Sequence, residues 1–254
     1  MSFKWPIKLD LFGVHVSPTC YDEAVQCVLS AAREGRGGAV DLMPVHGLIT
    51  AVRDARFRRR INRDFDIVAP DGQPVRWALN LFHQAGLTDR VYGPELMLRL
   101  CGAAAAAGVG VYLYGSTAGV VDKLKNTLVG RFPGLRVAGA ESPPFRPLTE
   151  DEGRAAVERF NASGAGIVFV GTGCPRQEMF AAEHRDKVRA VLVCVGAAFD
   201  FHAGAKRMAP PWIQRRGLEW LYRLCQEPGR LWRRYLVTNT IFSLLVGRRL
   251  LLGR

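Results

Sequence analysis

Short apolar runs alternate along this chain with longer stretches whose apolar positions recur every three or four residues, the mark of buried strands alternating with helices. Phe12–Val16 reads as a short strand, and Ser17-Pro18-Thr19 then supplies a helix start for Tyr21–Arg33. Ala24, Val25, Val28, Leu29 and Ala32 give that helix one apolar face, and Gly35-Arg36-Gly37-Gly38 ends it. Ala39–Met43 is a strand broken by Pro44, a helix begins near His46, and Asp54–Asn62 is expected as a basic, exposed helix. Ile67–Ala69 is a buried strand that Pro70 stops, because proline has no N–H to donate. Asp71-Gly72 turns the chain, and Val75, Ala78 and Leu79 recur at helical spacing behind Pro74. After a loop over Gly86–Pro94 the pattern predicts a helix over Glu95–Ala107 and a strand over Val109–Tyr114. A helix to about Arg131 and a strand over Leu135–Ala140 follow, then a helix capped by Thr149 that reaches Asn161. The strand Gly166–Val170, a helix to His184 and the strand Ala190–Val195 complete the series.

This order predicts an α/β fold, a mostly parallel sheet with helices on both faces, Rossmann-like, over residues 1–205. Past Gly196 the pattern changes. A proline-bounded junction, Lys206–Trp212, leads into a chain that is helical, basic and rich in Trp and Leu, so residues 206–254 are expected as a basic helical C-terminal appendage.

Charge sharpens that division. From Lys206 onward eleven basic residues face only Glu219 and Glu227, a surplus of nine out of the whole chain's +12. Such asymmetry implies an anionic partner: a phosphate-bearing substrate, an acidic membrane or nucleic acid. No nucleic-acid reading motif is present, so nucleic acid is not expected. An apolar fraction of 48% supports a sizeable core. The six cysteines are scattered without metal or disulfide spacing and read as reduced core residues of a cytoplasmic chain. Met1–Leu9 has no long apolar run, so no secretory signal is expected there. Tyr235–Gly247 is 13 residues without a charge, shorter than the roughly 20 a membrane span needs. It suits a helix lying in the interface on anionic lipid, or one docked on the protein itself or on a subunit.

Several residues could carry chemistry. In an open α/β sheet Asp71 falls at the carboxyl edge, where ligands bind, although Asp-Gly is also a common turn pair. Gly115 and the pair Gly171 and Gly173 each lie where a strand feeds a helix, and a helix N-terminus suits a phosphate. Neither junction is a dinucleotide fingerprint or a Walker loop. Gln177 and Glu178, at the start of the second of these helices, reach toward the same crevice, and Arg90 could neutralise a leaving phosphate. Asp64-Phe65-Asp66 has metal-site spacing but precedes its strand, hence the wrong edge, and no metal site is expected. His46 stands alone as a base or ligand candidate.

Four blocks occur in order: Ile67-Val68-Ala69-Pro70-Asp71-Gly72, Gly171-Thr172-Gly173-Cys174-Pro175-Arg176-Gln177-Glu178, Val195-Gly196-Ala197-Ala198-Phe199-Asp200, and Leu218-Glu219-Trp220-Leu221-Tyr222-Arg223-Leu224 running on to Glu227-Pro228-Gly229-Arg230. Together they resemble the WecG/TagA/CpsF glycosyltransferases of bacterial cell-surface polysaccharide synthesis. The resemblance implies inverting, metal-independent transfer from a UDP-sugar to a polyprenyl-diphosphate-linked saccharide at the cytoplasmic face of the membrane, with no cofactor. It makes Asp71 the general base and lines the substrate pocket with Arg90 and Gln177. It also brings the basic appendage to the lipid diphosphate, for which Arg207, Arg216, Arg223, Arg230 and Arg233 are the candidates. Where many members carry Thr-x-Asn this chain has Leu42-Met43-Pro44-Val45-His46, so His46 becomes an acceptor-side candidate. Arg216, Arg223 and Arg230 recur every seven residues, and Pro228 suggests two short helices folding them over the pocket. Association into oligomers is left open, as are two other readings: a different nucleotide-using enzyme, and a non-catalytic basic adaptor.

Overall fold

The computed structural model describes residues 4–253; Met1–Phe3 and Arg254, the last of the basic residues counted above, lie outside them. The chain begins with an antiparallel hairpin, β1 (Leu9–Leu11) and β2 (Val14–Val16). The expected single strand from Phe12 is therefore the turn and second arm of a hairpin, with Phe12 and Gly13 at φ 58 and 83 making the reversal. There follow α1 (Tyr21–Arg33), β3 (Gly38–Met43), α2 (Val45–Arg53), α3 (Ala55–Asp64), β4 (Ile67–Pro70), α4 (Gln73–His83) and α5 (Gly93–Ala107). Next come β5 (Gly110–Gly115), α6 (Ala118–Arg131), β6 (Val137–Glu141), α7 (Glu150–Ser163), β7 (Ala165–Gly171), α8 (Arg176–His184), β8 (Val191–Cys194) and α9 (Ala198–His202). The last three helices are α10 (Pro211–Arg215), α11 (Glu219–Gln226) and α12 (Pro228–Leu252).

The main sheet runs β4-β3-β8-β7-β5-β6 with every neighbouring pair parallel. Parallel strands need a crossover between them, and helices on both faces bury both sides of the sheet. Alternation along the strands divides the core accordingly. Ala39, Met43, Val168 and Val170 face a cluster with α2, α3, α4, α7 and α8. Val40, Leu42, Ile167 and Phe169 face a second cluster with α1, α5, α6 and α9. Local chemistry fixes the helix starts: Asp54 accepts from the Arg56 and Phe57 N–H groups, and Thr149 forms a capping box with Glu152.

The two edges of the sheet carry different charges. At the amino edge Asp66 accepts from the Ala39 N–H and pairs with Arg185, while Asp64 pairs with Arg60 and Arg63. These carboxylates lie at the opposite end of the strands from Asp71. The cysteines divide too. Cys27, Cys101 and Cys194 are buried, but Cys20 and Cys225 are exposed and Cys174 is half-buried, so only part of the set belongs to the core.

The C-terminal helices differ from expectation in length. The chain does break before Pro228, but α12 then runs as one continuous helix of 25 residues. By length and composition it is apolar enough to cross a membrane, with a mean hydropathy of 1.2 over its best window. It packs along α2 and α11, and α11 leads in through Gly217, which lies against Trp77 of α4.

Candidate active site

A cleft of about 730 Å³ opens over the carboxyl ends of β3, β4, β5, β7 and β8. Its floor is Leu42, Asp71, Ser116, the Gly171–Cys174 loop and Val195–Ala198; its far wall is made of α11 and α12. Parallel strands all end on this side, and the loops that follow them converge there, as α/β sheets generally place ligands.

Asp71 is the first residue beyond β4, and its N–H donates to the Met43 carbonyl at 3.2 Å. Pro70 ends the ladder, and its carbonyl accepts from the Val91 N–H at 2.9 Å, which ties the loop before α5 to this strand. The Gly93 N–H reaches back to Asp71 Oδ1 at 3.2 Å. Burial pushes the Asp71 carboxyl up to about 6; Arg90 opposes that and Glu219 adds to it.

Gly171 and Gly173 line the cleft, and each needs to be glycine. A Cβ on Gly171 would lie 2.8 Å from the Phe199 ring, and Gly173 sits at φ 83. Gly115 does not line the cleft. Its Cα packs on the neighbouring strand end, where a Cβ would stand 2.5 Å from the Gly171 carbonyl carbon, and Ser116 takes its place at the surface, donating to Asp200 at 3.0 Å. Gln177 and Glu178 open α8 and are buried, not solvated. Gln177 Oε1 accepts from the Gly173 N–H at 3.2 Å, and its Nε2 donates to Glu178 Oε1 at 2.8 Å.

His46, near the start of α2, lines the cleft and a second groove of about 410 Å³ between α2 and α12, and Arg234 lines both. Burial and then Arg234 push His46 down to about 4, so it is neutral at pH 7, and its Nδ1 has no partner among the described residues. Arg90 is buried, and its Nη2 is engaged by Glu219 and Gln214.

The arginine set is redrawn by the structure. Arg223 and Arg230 line the cleft as expected, joined by Lys206 and Arg234. Arg207, Arg216 and Arg233 do not. Arg207 is exposed, Arg216 lies over the Trp212 ring and Arg233 over the Trp232 ring. On α12 the buried positions are Leu231 and Thr238; a helical repeat puts Arg230 and Arg234 beside that face and Arg233 behind it. Arg234 is invisible to a seven-residue spacing argument, but its i, i+4 relation to Arg230 is the signal that finds it. Arg230 and Lys206 both pair with Glu227, and Lys206 also with Asp200. Arg234 has no side-chain partner among the described residues, and burial together with Arg230 and Arg223 lowers its affinity for its proton. Among the described residues no three His, Cys, Asp or Glu side chains are grouped so as to hold a metal ion.

The chain matches the model of the Glycosyl transferase WecG/TagA/CpsF family over residues 9–254. It belongs to that family. It is thus a member of a glycosyltransferase family of cell-surface polysaccharide synthesis, whose members use nucleotide-sugar donors and lipid-linked, membrane-associated acceptors.

Proposed function

We propose that this chain transfers a hexosyl or N-acetylhexosaminyl group from a UDP-sugar to a polyprenyl-diphosphate-linked saccharide, with inversion and without a metal. It acts at the cytoplasmic face of the membrane. The observation that carries the reading is a single cleft containing the Asp71 carboxylate, the Gly171–Gly173 loop ahead of α8, and three arginines of the last two helices. In this reading residues 1–205 bind the donor and residues 206–254 complete the site.

Transfer is a single displacement. Asp71 takes the proton of the acceptor hydroxyl as the bond from the sugar C1 to UDP breaks. A carboxyl held near 6 is a better base than an ordinary aspartate and is still ionised at neutral pH. UDP leaves with new negative charge, and Arg223, Arg230 and Arg234 stand where that charge can be met, an electrostatic role that needs no metal. Neutral His46 offers one ring nitrogen to the acceptor sugar. The long α12 lies along the bilayer rather than through it, because Arg230, Arg234, Tyr235, Asn239 and Ser243 on it line the cleft.

The test is Asp71→Asn in a UDP-release assay with a lipid-linked acceptor. UDP binding persists and transfer is lost; wild-type turnover in that variant removes the base assignment. Transfer should also survive EDTA, and strict dependence on a divalent ion would overturn the metal-free mechanism.

A further inference from the structure

The geometry points to Glu219, the first residue of α11, as a positioning residue: its carboxylate anchors Arg90 and Tyr92 and so holds Arg90 off Asp71. This rests on the reading of Asp71 as the base, and it adds a residue to which no role was given above.

Glu219 is buried, with one oxygen for each of two partners. Oε2 accepts from Arg90 Nη2 at 2.6 Å, and Oε1 accepts from the Tyr92 hydroxyl at 2.8 Å. Arg90 lies over the Tyr92 ring, 4.1 Å from its centroid, so cation, ring and carboxylate form one closed unit. The same four-residue segment serves Asp71. Val91 N–H bonds the Pro70 carbonyl, and Gly93 N–H donates to Asp71 Oδ1. Glu219 therefore grips by its side chains the very loop whose backbone orients the base.

A buried ion pair is weak evidence of a stability role, because a well-packed apolar pair would serve at least as well. In a reaction cleft the pair does something an apolar one could not. The groups facing Asp71 are Tyr21 from α1, Asp41 from β3, Arg90 and Tyr92 from the loop before α5, and Glu219 and Arg223 from α11. Of these, Arg90 and Arg223 favour the ionised carboxylate and weaken it as a base. Glu219 offsets them in two ways. It adds a like charge, and it takes the shorter of the two Arg90 Nη2 hydrogen bonds, Gln214 Oε1 taking the other at 3.2 Å. Without it only the longer Gln214 bond holds the Arg90 guanidinium, which can then turn onto Asp71 and quench it as a base.

The experiment compares pH profiles of kcat/KM for the full-length wild type and Glu219→Gln, using a UDP-sugar and a lipid-linked acceptor. The amide keeps the shape and loses the charge. The acid limb should move down by about one pH unit, the size expected for a like charge removed from a few ångströms away, and the plateau rate should fall at least tenfold. Glu219→Asp keeps the charge and should bring the limb back toward wild type, a rescue that packing alone does not give. An unmoved limb in Glu219→Gln overturns the assignment, and so does a faster plateau, which would make Glu219 a plug on Arg90. Should Glu219→Gln fail to fold by circular dichroism, Arg90→Gln carries the test. Loss of that cation raises the limb, and an unmoved or lowered limb overturns the proposal. A wild type with no transfer, or Asp71→Asn with full turnover, sinks the reading of the base instead, so the two failures are distinguishable.

Discussion

Asp41 and Glu178 bury their carboxyl groups against one another beneath the floor of the cleft. Burial raises both, and the charges of Glu178 and Asp71 further disfavour ionisation of Asp41. Asp41 Oδ1 and Glu178 Oε2 are buried without a hydrogen-bond partner among the described residues, and a proton shared between the two carboxyl groups would satisfy both. The other Glu178 oxygen holds the Gln177 amide, which in turn holds the Gly173 N–H. An asparagine at 41 reproduces the protonated acid; an alanine leaves Glu178 buried without it. Asp41→Asn should therefore unfold in urea within about 1 kcal/mol of wild type at pH 7, and Asp41→Ala should lose roughly 3 kcal/mol. Equal losses in the two variants would mean that no proton is shared.

The raised Asp71 has a cost in stability whose sign follows from proton binding. Its folded value is about 6 against an ordinary 3.8, so between those values the native chain binds more protons than the unfolded one. This contribution to stability is full below pH 4, falls as pH rises to about 6, and stays lost above. Asp71→Asn should then raise the unfolding free energy by up to about 2 kcal/mol at pH 7.5, after allowance for partial exposure, and by little at pH 4. The same titration sets the wild-type acid limb of kcat/KM near pH 6. Denaturant curves at the two pH values check the first statement. A destabilised Asn variant would mean that the charge of Asp71 holds the fold instead of straining it.

Arg234 predicts the anion site. It is crowded by Arg230 and Arg223 and has no carboxylate of its own, so a bound diphosphate relieves repulsion as well as gaining hydrogen bonds. Arg234→Gln should weaken UDP and pyrophosphate binding about tenfold in titration calorimetry, the worth of one charge-assisted contact. Arg207→Gln, Arg216→Gln and Arg233→Gln, all outside the cleft, should leave it within about twofold. A loss in these three equal to that of Arg234→Gln would mean a diffuse field and no defined site.

Much of this was legible in the sequence, and the parts that were not share a cause. Proline after a strand and Asp-Gly before a helix are local signals, so the position of Asp71 at the carboxyl edge could be read from its neighbours alone. The Thr149 cap and the βα order are local in the same sense. The pairing of Glu219 with Arg90 spans well over a hundred residues, and no spacing rule reaches that far. Gly115 misled because a glycine at a strand end looks alike whether it clears space for a phosphate or for the next strand. Arg233 misled because charge composition does not say which side of a helix packs.

The last helix supports a prediction about where the protein works. Its inner side is fastened twice. Packed on α2 and α11 it buries Leu231 and Thr238, and at its far end Arg249 lies over the Phe82 ring at 4.6 Å, with Phe12 packed edge-on to both Phe82 and Phe242. Its outer side leaves Leu236, Leu244, Leu250, Leu251 and Leu252 exposed, between 58% and 87%, although burying them would be favourable. An apolar strip flanked by Arg248 and other basic residues suits the surface of an anionic bilayer. Leu236 and Leu244 do not line the cleft, so Leu236→Asp with Leu244→Asp should lower sedimentation with vesicles containing anionic lipid by at least tenfold. UDP affinity in the same variant should be unchanged. The strip touches neither the cleft nor the core, so loss of UDP binding would place these leucines in the folded body and refute the interfacial orientation of α12.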